Sequence, residues 1–232
     1  MILTSHQPYL FPYLAYWQLI YVADLFLIGD DFAFMKGGWI PRNRILVQGA
    51  PQFFRIEVRD QSCHRLICET LLATTDIGDK LRTLEMAYHK APCFEAGYAL
   101  AERILRNPER NLAVFIEYSI REMCAYLGID TPVGRTSDYP GNSLLKREKR
   151  VYDLCHRTGA DRYINAIGGT RLYRKEDFER QGIRLQFLQS RHTPYPQFGA
   201  PFVEKLSILD AVMFNPRERL HEMLDDYSLI DG

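Results

Sequence analysis

The chain has 232 residues, of which 47% are hydrophobic and 25% charged. These are ordinary globular values and exclude the disordered and low-complexity classes, while the length suits one large domain or one domain with an insertion. Twenty-nine Lys and Arg balance 29 Asp and Glu, so the basic excess of a dedicated nucleic-acid binder is missing.

The five cysteines, Cys63, Cys68, Cys93, Cys124 and Cys155, are odd in number, irregularly spaced and without a C-x-x-C pair. That argues against a secreted disulfide framework and against a zinc knuckle. The N-terminus shows no basic region followed by a small-residue cleavage site. The longest apolar run, Tyr9 to Ile28, is broken by Pro12, Gln18 and Asp24 and makes a poor membrane span. The expected location is therefore the cytoplasm. Oligomeric state and cofactor are not specified by the sequence.

In chain order, Ile2 to Thr4 reads as a short buried strand that enters the loop Ser5-His6-Gln7-Pro8. Pro8 and Pro12 forbid a regular helix before about Tyr13, and Tyr13 to Val22 fits one. Asp24 to Gly29 is a continuous apolar run ending in Asp30-Asp31, the pattern of a buried parallel strand with a polar tip. Gly37-Gly38 marks a turn. Arg44 to Val47 and Gln52 to Arg59 predict a hairpin across Gly49-Ala50-Pro51. Apolar spacing then predicts helices over Leu81 to Tyr88, Ala96 to Leu105 and Leu112 to Leu127, the last ended by Gly128. Thr131 to Thr136 reads as a strand, Leu144 to Thr158 as a helix, and Arg162 to Ala166 as a strand. Thr170 to Arg180 follows as a helix and Ile183 to Leu188 as a strand, before a terminal helical region from Leu206. This alternation predicts an α/β fold. A mainly parallel sheet would be flanked by helices, with an inserted β-hairpin and a helical layer over about 77–128. No linker or repeat divides it, so residues 1–232 read as a single domain.

In open α/β sheets ligands gather at the carboxyl ends of the strands, which directs attention to polar residues there. His6-Gln7 follows the first strand and could supply an acid, a base or a hydrogen bond, or simply fix the turn before Pro8. Asp30 and Asp31 tip the second strand and could bind a metal, hold a ribose-like diol or act as a base. Because side chains alternate, one of them would face a given site. From Phe32 to Arg55 there is no Asp or Glu, yet Lys36, Arg42, Arg44 and Arg55 fall in that segment. Such a cluster suits a phosphate or carboxylate, or else pairs with Asp30 and Asp31. Lys146-Arg147-Glu148-Lys149-Arg150 opens a helix and reads mainly as a solvated face, with Arg150 the residue nearest to apolar neighbours. Gly168-Gly169-Thr170 could bring backbone N–H groups to an anion, although Thr170 as a helix N-cap explains it equally. His192 and Tyr195, in a loop stiffened by Pro194 and Pro196, could reach the same rim as His6. No G-x-S-x-G, Walker A or H-E-x-x-H pattern is present, and no metal set is expected.

Several of these segments, in this order, resemble the WbqC-like protein family of bacteria. They are His6-Gln7-Pro8-Tyr9-Leu10-x-Pro12 with Tyr16, Asp30-Asp31-x-x-Phe34-x-Lys36, and Trp39 followed by Arg42-Asn43-Arg44. Ala87-Tyr88 with Ala91-Pro92, Tyr126-Leu127-Gly128-Ile129, Arg150, and Tyr163 with Gly168 follow. His192 with Tyr195-Pro196-Gln197 and Leu206-Ser207-Ile208-Leu209-Asp210 complete the set, which runs from about residue 2 to residue 215. Pro41 departs from the pattern, standing where an Asn is expected and removing a polar side chain. The family is found among surface-polysaccharide (O-antigen) genes, and the resemblance implies an aminoacyl transferase of glycine type in bacterial glycan or related small-molecule biosynthesis.

On that expectation an activated amino acid or a nucleotide-linked sugar docks at the strand ends. His6, Asp30, Asp31 and His192 are the catalytic candidates, a His deprotonating the attacking amine and an Asp orienting it. Gln7, Tyr9, Lys36, Trp39, Arg42, Asn43, Arg44, Arg150, Tyr195 and Gln197 are the candidate substrate contacts, the cations facing its anionic group. Two alternatives stand beside it. A His after the first strand is also the layout of nucleotide-dependent transferases and ligases of the HIGH type, though the loop here lacks the second His. A non-catalytic pathway scaffold would instead use Tyr9, Tyr13, Tyr16 and Trp17 as an aromatic protein interface.

Overall fold

A computed structural model describes residues 1–73, 77–191, 193–199 and 201–232. The chain begins with β1 (Ile2–His6), α1 (Leu14–Tyr21) and β2 (Leu25–Ile28). The hairpin β3 (Arg42–Val47) and β4 (Ala50–Arg55) follows, then the helices α2 (Ile77–Tyr88), α3 (Phe94–Leu105) and α4 (Leu112–Leu127). The second half alternates: β5 (Val133–Arg135), α5 (Glu148–Thr158), β6 (Arg162–Ala166), α6 (Lys175–Glu179) and β7 (Arg184–Ser190). It closes with α7 (Ile208–Phe214), α8 (Arg217–Leu224) and β8 (Tyr227–Asp231).

Six strands form one sheet in the order β5-β2-β1-β6-β7-β8, all parallel except the edge strand β8. The fold is therefore α/β, with a mostly parallel sheet flanked by helices and a separate antiparallel hairpin, as the sequence pattern predicts. The chain winds outward from β1 to β5 in one direction and from β6 to β8 in the other. That reversal places a topological switch point between β1 and β6.

Burial with period two gives each face of the sheet its own core. Leu3, Leu27, Tyr163, Leu185 and Phe187 pack with Val151, Leu154 and Cys155 of α5 and Phe178 of α6. Phe26, Ile28 and Val133 face the other way, into a larger core with Trp17 and Ile20 of α1, the hairpin, the inserted helices and α7. Leu19, Ile164 and Leu188 fill the place where α1 lies over β6 and β7. Gln18, fully buried on α1, donates from Nε2 to the carbonyls of Met223 and Asp226 and so ties α1 to the end of α8.

Several element boundaries differ from the sequence reading for local reasons. β1 runs on to His6, which pairs in register with Ile28, so His6 ends a strand instead of sitting in a loop. The hairpin turns at Gln48-Gly49, with φ of 50° and 77°, the two-residue geometry that matches strand twist and favours glycine. α5 starts at Glu148 because Arg147 adopts φ 51°, and residues 142–144 form a separate 3-10 turn. Thr170 is no helix N-cap: Ile167–Arg171 is a 3-10 turn, and α6 begins only at Lys175. β8 escapes the sequence reading because it is a half-exposed edge with polar residues. It is held by its ladder to β7 and by Asp231, which accepts from Arg184 and Gln186.

One buried carboxylate joins the insertion to the sheet. Asp210, at the start of α7 and 0% exposed, accepts from Tyr88 Oη at 2.9 Å on one oxygen. Its other oxygen accepts from Tyr195 Oη and Gln197 Nε2, each at 2.7 Å. The Tyr88 hydroxyl in turn accepts from the Leu46 N–H of β3 at 2.9 Å. Burial nonetheless pushes the Asp210 carboxyl above its ordinary value, the hydrogen bonds opposing the shift. The folded state thus holds this proton more tightly than the unfolded chain, and its contribution to stability falls as pH rises through and above the ordinary carboxylate range. We expect Asp210→Asn to cost about 1–3 kcal/mol, since an amide cannot accept from three donors on two oxygens. The same variant should flatten that part of the stability–pH curve, as read by urea denaturation between acidic and neutral pH.

Candidate functional site

Residues at the tips of β1, β6 and β7 wall one side of a cavity of about 660 Å³, at the switch point. β1 contributes His6. Its Nδ1 lies 3.2 Å from the Gln7 carbonyl, which can only accept, so Nδ1 carries the proton and Nε2 keeps a free lone pair. Tyr9 and Tyr16 set their rings edge-on to the imidazole at 4.9 and 5.1 Å, and Tyr16 Oη donates to the same Gln7 carbonyl at 3.0 Å. Burial lowers the His6 pKa below its ordinary 6.5, against the opposing pull of the Gln7 bond. The ring is therefore neutral at neutral pH and suited to accept a proton.

β6 runs into Asn165-Ala166 and the Ile167–Arg171 turn. A Cβ on Gly169 would lie 3.0 Å from the Asn165 side chain and 3.3 Å from Phe187, so glycine lets the turn fold back closely on its strand. Gly168 is different: a Cβ there meets nothing within 4 Å, because it stands against the open cavity wall. Leu188, Gln189 and Ser190 come from the tip of β7. The Ser190 hydroxyl is buried without a hydrogen-bond partner, an unspent polar group at the cavity.

The opposite wall is built by the hairpin and the segment before α7. Asn43, 4% exposed, donates from Nδ2 to the Phe11 carbonyl at 3.0 Å and accepts from the Arg44 N–H at 2.9 Å. Arg44 donates from Nη2 to the Lys205 carbonyl at 3.2 Å, while its own carbonyl accepts from Ser207 N at 2.7 Å. Arg44 Nε is buried and unpartnered. Lys205 sits at φ 58°, a conformation rare for a residue with a side chain. Its ammonium has a loose 4.0 Å contact with the exposed Glu204, which lies outside the cavity lining. Among the lining residues there are two cations, Arg44 and Lys205, and no carboxylate.

The structure divides the candidates into groups. His6, Tyr9, Trp39, Asn43 and Arg44 line the cavity together, and Gln7 orients His6 from behind through its carbonyl. Lys36 is exposed and does not line the cavity, and Arg42 leaves it to donate to the Gly37 carbonyl and stack 4.3 Å from the Phe53 ring. Asp30 and Asp31 do not face it either. Asp30 accepts from the N–H and hydroxyl of Ser137, at 3.1 and 2.7 Å. Asp31 accepts from Thr136 Oγ1 at 2.6 Å and pairs with Arg150 at 2.5 Å. Arg150 also donates to Asn142 Oδ1 and covers the Phe32 ring, so its charge is used inside the protein. Both aspartates thus lock β2 to β5 and α5. Tyr195 and Gln197 do not line the cavity and serve Asp210 instead. His192 lies outside the described residues. The aromatic interface is also absent as a surface, because Tyr16 and Trp17 are 2% and 0% exposed.

Sequence reasoning missed Lys205 and the wall residues Ser190 and Asn165. Ser190 ends β7 and Asn165 stands one residue before the end of β6, so the strand-tip rule would have found them. Lys205 is brought in by its backbone bond to Arg44, which no spacing reveals. Among the described residues, no three His, Cys, Asp or Glu gather to hold a metal, and no helix is long and apolar enough to cross a membrane.

Two substitutions separate scaffold from cavity. Arg150→Ala leaves Asp31 as an uncompensated buried charge and should cost about 3–5 kcal/mol of stability. Gly168→Val should leave the melting temperature nearly unchanged, since its side chain enters open space, while abolishing ligand-induced thermal shifts. Differential scanning fluorimetry reads both.

The comparisons with known proteins agree with this architecture in extent. The model of the WbqC-like protein family matches residues 7–222. The uncharacterized protein Rv1507c of Mycobacterium tuberculosis (strain ATCC 25618 / H37Rv) is 29% identical over 208 residues, covering 88% of this chain and 89% of its own. No solved structure matches the chain. The matched segment contains every described residue of the cavity wall except His6, which directly precedes it. The chain belongs to the WbqC-like protein family.

Proposed function

We propose that this protein is a group transferase acting on an anionic small molecule held in the switch-point cavity, with His6 as the general base. One observation carries the reading: a neutral imidazole with a bare Nε2 shares a cavity with two cations and no carboxylate. Arg44 and Lys205 draw in and hold the anionic group of the substrate. The attacking amine or hydroxyl of the acceptor gives its proton to His6 Nε2 as its new bond to the transferred carbon forms. The activating group then departs with the bonding electron pair, its negative charge met by the same cations. The Gln7 carbonyl fixes the His6 tautomer, a task the sequence reading gave to Asp30 or Asp31.

Within this class, family membership supports aminoacyl transfer, of glycine type, in bacterial surface-polysaccharide or related small-molecule biosynthesis. The cavity suits such a substrate because aromatic rings of Tyr9, Tyr13 and Trp39 stand beside the cations and can cover the apolar face of a sugar. A non-catalytic scaffold would have no use for an oriented base beside an acid-free anion pocket.

The test is transfer of glycine from an activated donor to amino-sugar acceptors, followed by mass spectrometry. His6→Ala should lower turnover about 10²–10⁴-fold with little change in melting temperature. A large loss of stability instead would assign His6 to folding. Because the His6 pKa lies below 6.5, the acidic limb of the rate profile should fall below that pH and vanish in His6→Ala. Stability should also decline as pH drops below 6.5, where the unfolded chain takes up the proton first.

A further inference from the structure

We infer that the anionic group bound in the cavity belongs to a nucleoside phosphate, and that its base stacks on Trp39. The inference rests on the cavity reading above and names the substrate class it would take. The chain has two tryptophans, and they are used differently. Trp17 is fully buried and donates from Nε1 to the Pro12 carbonyl. Trp39 is 42% exposed at the cavity rim, so much of its aromatic surface is uncovered. Its ring is nevertheless held: Phe53 lies 5.8 Å away, and the guanidinium groups of Arg42 and Arg44 lie 6.0 and 5.8 Å from its centroid. A fixed, exposed indole is a stacking platform for a planar base, which it recognises through the base's π-face.

The anion site adjoins this platform, since Arg44 touches both the Trp39 ring and the Lys205 backbone. Two cations without a carboxylate among the lining residues match a group carrying more than one negative charge, as a phosphate does. The start of one helix also borders the cavity. Tyr13 and Ala15, at the start of α1, line the cavity, and that helix has neither a side-chain cap bond nor an acidic residue in its first turn. The Tyr16 N–H of that turn bonds the Tyr13 carbonyl, and the positive end of the helix dipole favours an anion beside Ala15. Ser190 also lines the cavity, and its buried hydroxyl has no hydrogen-bond partner within the protein.

The same geometry limits the ligand to one nucleoside. In a doubly wound dinucleotide site a carboxylate at the tip of the second strand holds the far ribose. Here both carboxylates at the tip of β2 are taken by Thr136, Ser137 and Arg150, and neither lines the cavity.

The experiment is a titration of the full chain with uridine, cytidine, adenosine and guanosine diphosphates and with inorganic pyrophosphate. Tryptophan emission and thermal shift are read together. At least one nucleoside diphosphate should quench emission and bind tenfold or more tightly than pyrophosphate. Trp39→Ala should weaken that nucleotide about 5- to 100-fold while leaving pyrophosphate binding unchanged. Arg44→Gln should weaken both. Tighter nucleotide binding that survives Trp39→Ala would overturn the stacking assignment. Pyrophosphate binding equal to that of every nucleotide would retain the anion site and overturn the nucleoside. Failure of all five probes to bind would overturn this inference, while glycine transfer in the separate assay would still uphold the transferase reading.

Discussion

The Asp210 carboxylate is the fixed point on which the cavity depends. It lies at the start of α7 and gathers Tyr88 from α2 with Tyr195 and Gln197 from the long loop after β7. Through the Tyr88 hydroxyl it also reaches the backbone of β3, the strand that carries Asn43 and Arg44. A buried charge is tolerated only when its lone pairs are filled, and three donors fill these. The arrangement fixes the hairpin against the sheet. The Arg44 guanidinium, donating to the Lys205 carbonyl, and the Arg44 carbonyl, accepting from Ser207 N–H, then set the cationic wall.

A second buried polar group works in the opposite direction, closing a place where ligands are often found. At the tips of β2 and β5 Asp31 pairs with Arg150, Asp30 accepts from Ser137, and the Arg150 guanidinium covers Phe32. The polar tip of the second strand is thereby used to join the sheet to α5. The open part of the switch point shifts toward β6 and β7, where glycines and a serine line the wall. One fold thus offers two strand-end regions, and side-chain pairing decides which of them can receive a substrate.

The chemistry of the open region follows from a short local circuit. The strand end presents His6, the next carbonyl accepts a hydrogen bond from its Nδ1–H, and two tyrosine rings hold the imidazole in place. Partial burial keeps the ring neutral, so the group that faces the cavity is a base and not a cation. The positive charge is supplied separately by Arg44 and Lys205 across the cavity. Separating the base from the cations lets one site both hold an anion and take up a proton.

Much of this was legible in the chain itself. Continuous apolar runs ending in polar residues disclosed the parallel strands, because strands buried on both faces must be apolar and their tips meet solvent. The order of short motifs disclosed the family, and the strand-tip rule drew attention to His6 before its surroundings were known. What spacing could not tell was which polar residues meet one another. Lys36, Arg42, Arg44 and Arg150 read alike in sequence, yet one is solvated, two are spent on a carbonyl and a carboxylate, and only Arg44 faces the cavity. Tyr195 and Gln197 are likewise separated from His6 by Asp210, and Lys205 enters the site through a backbone bond across 161 positions. Hydrophobic periodicity is a local property and is written along the chain. The partner of a charge is a long-range choice set by desolvation and geometry, and it exists only once the sheet, the hairpin and the inserted helices have packed.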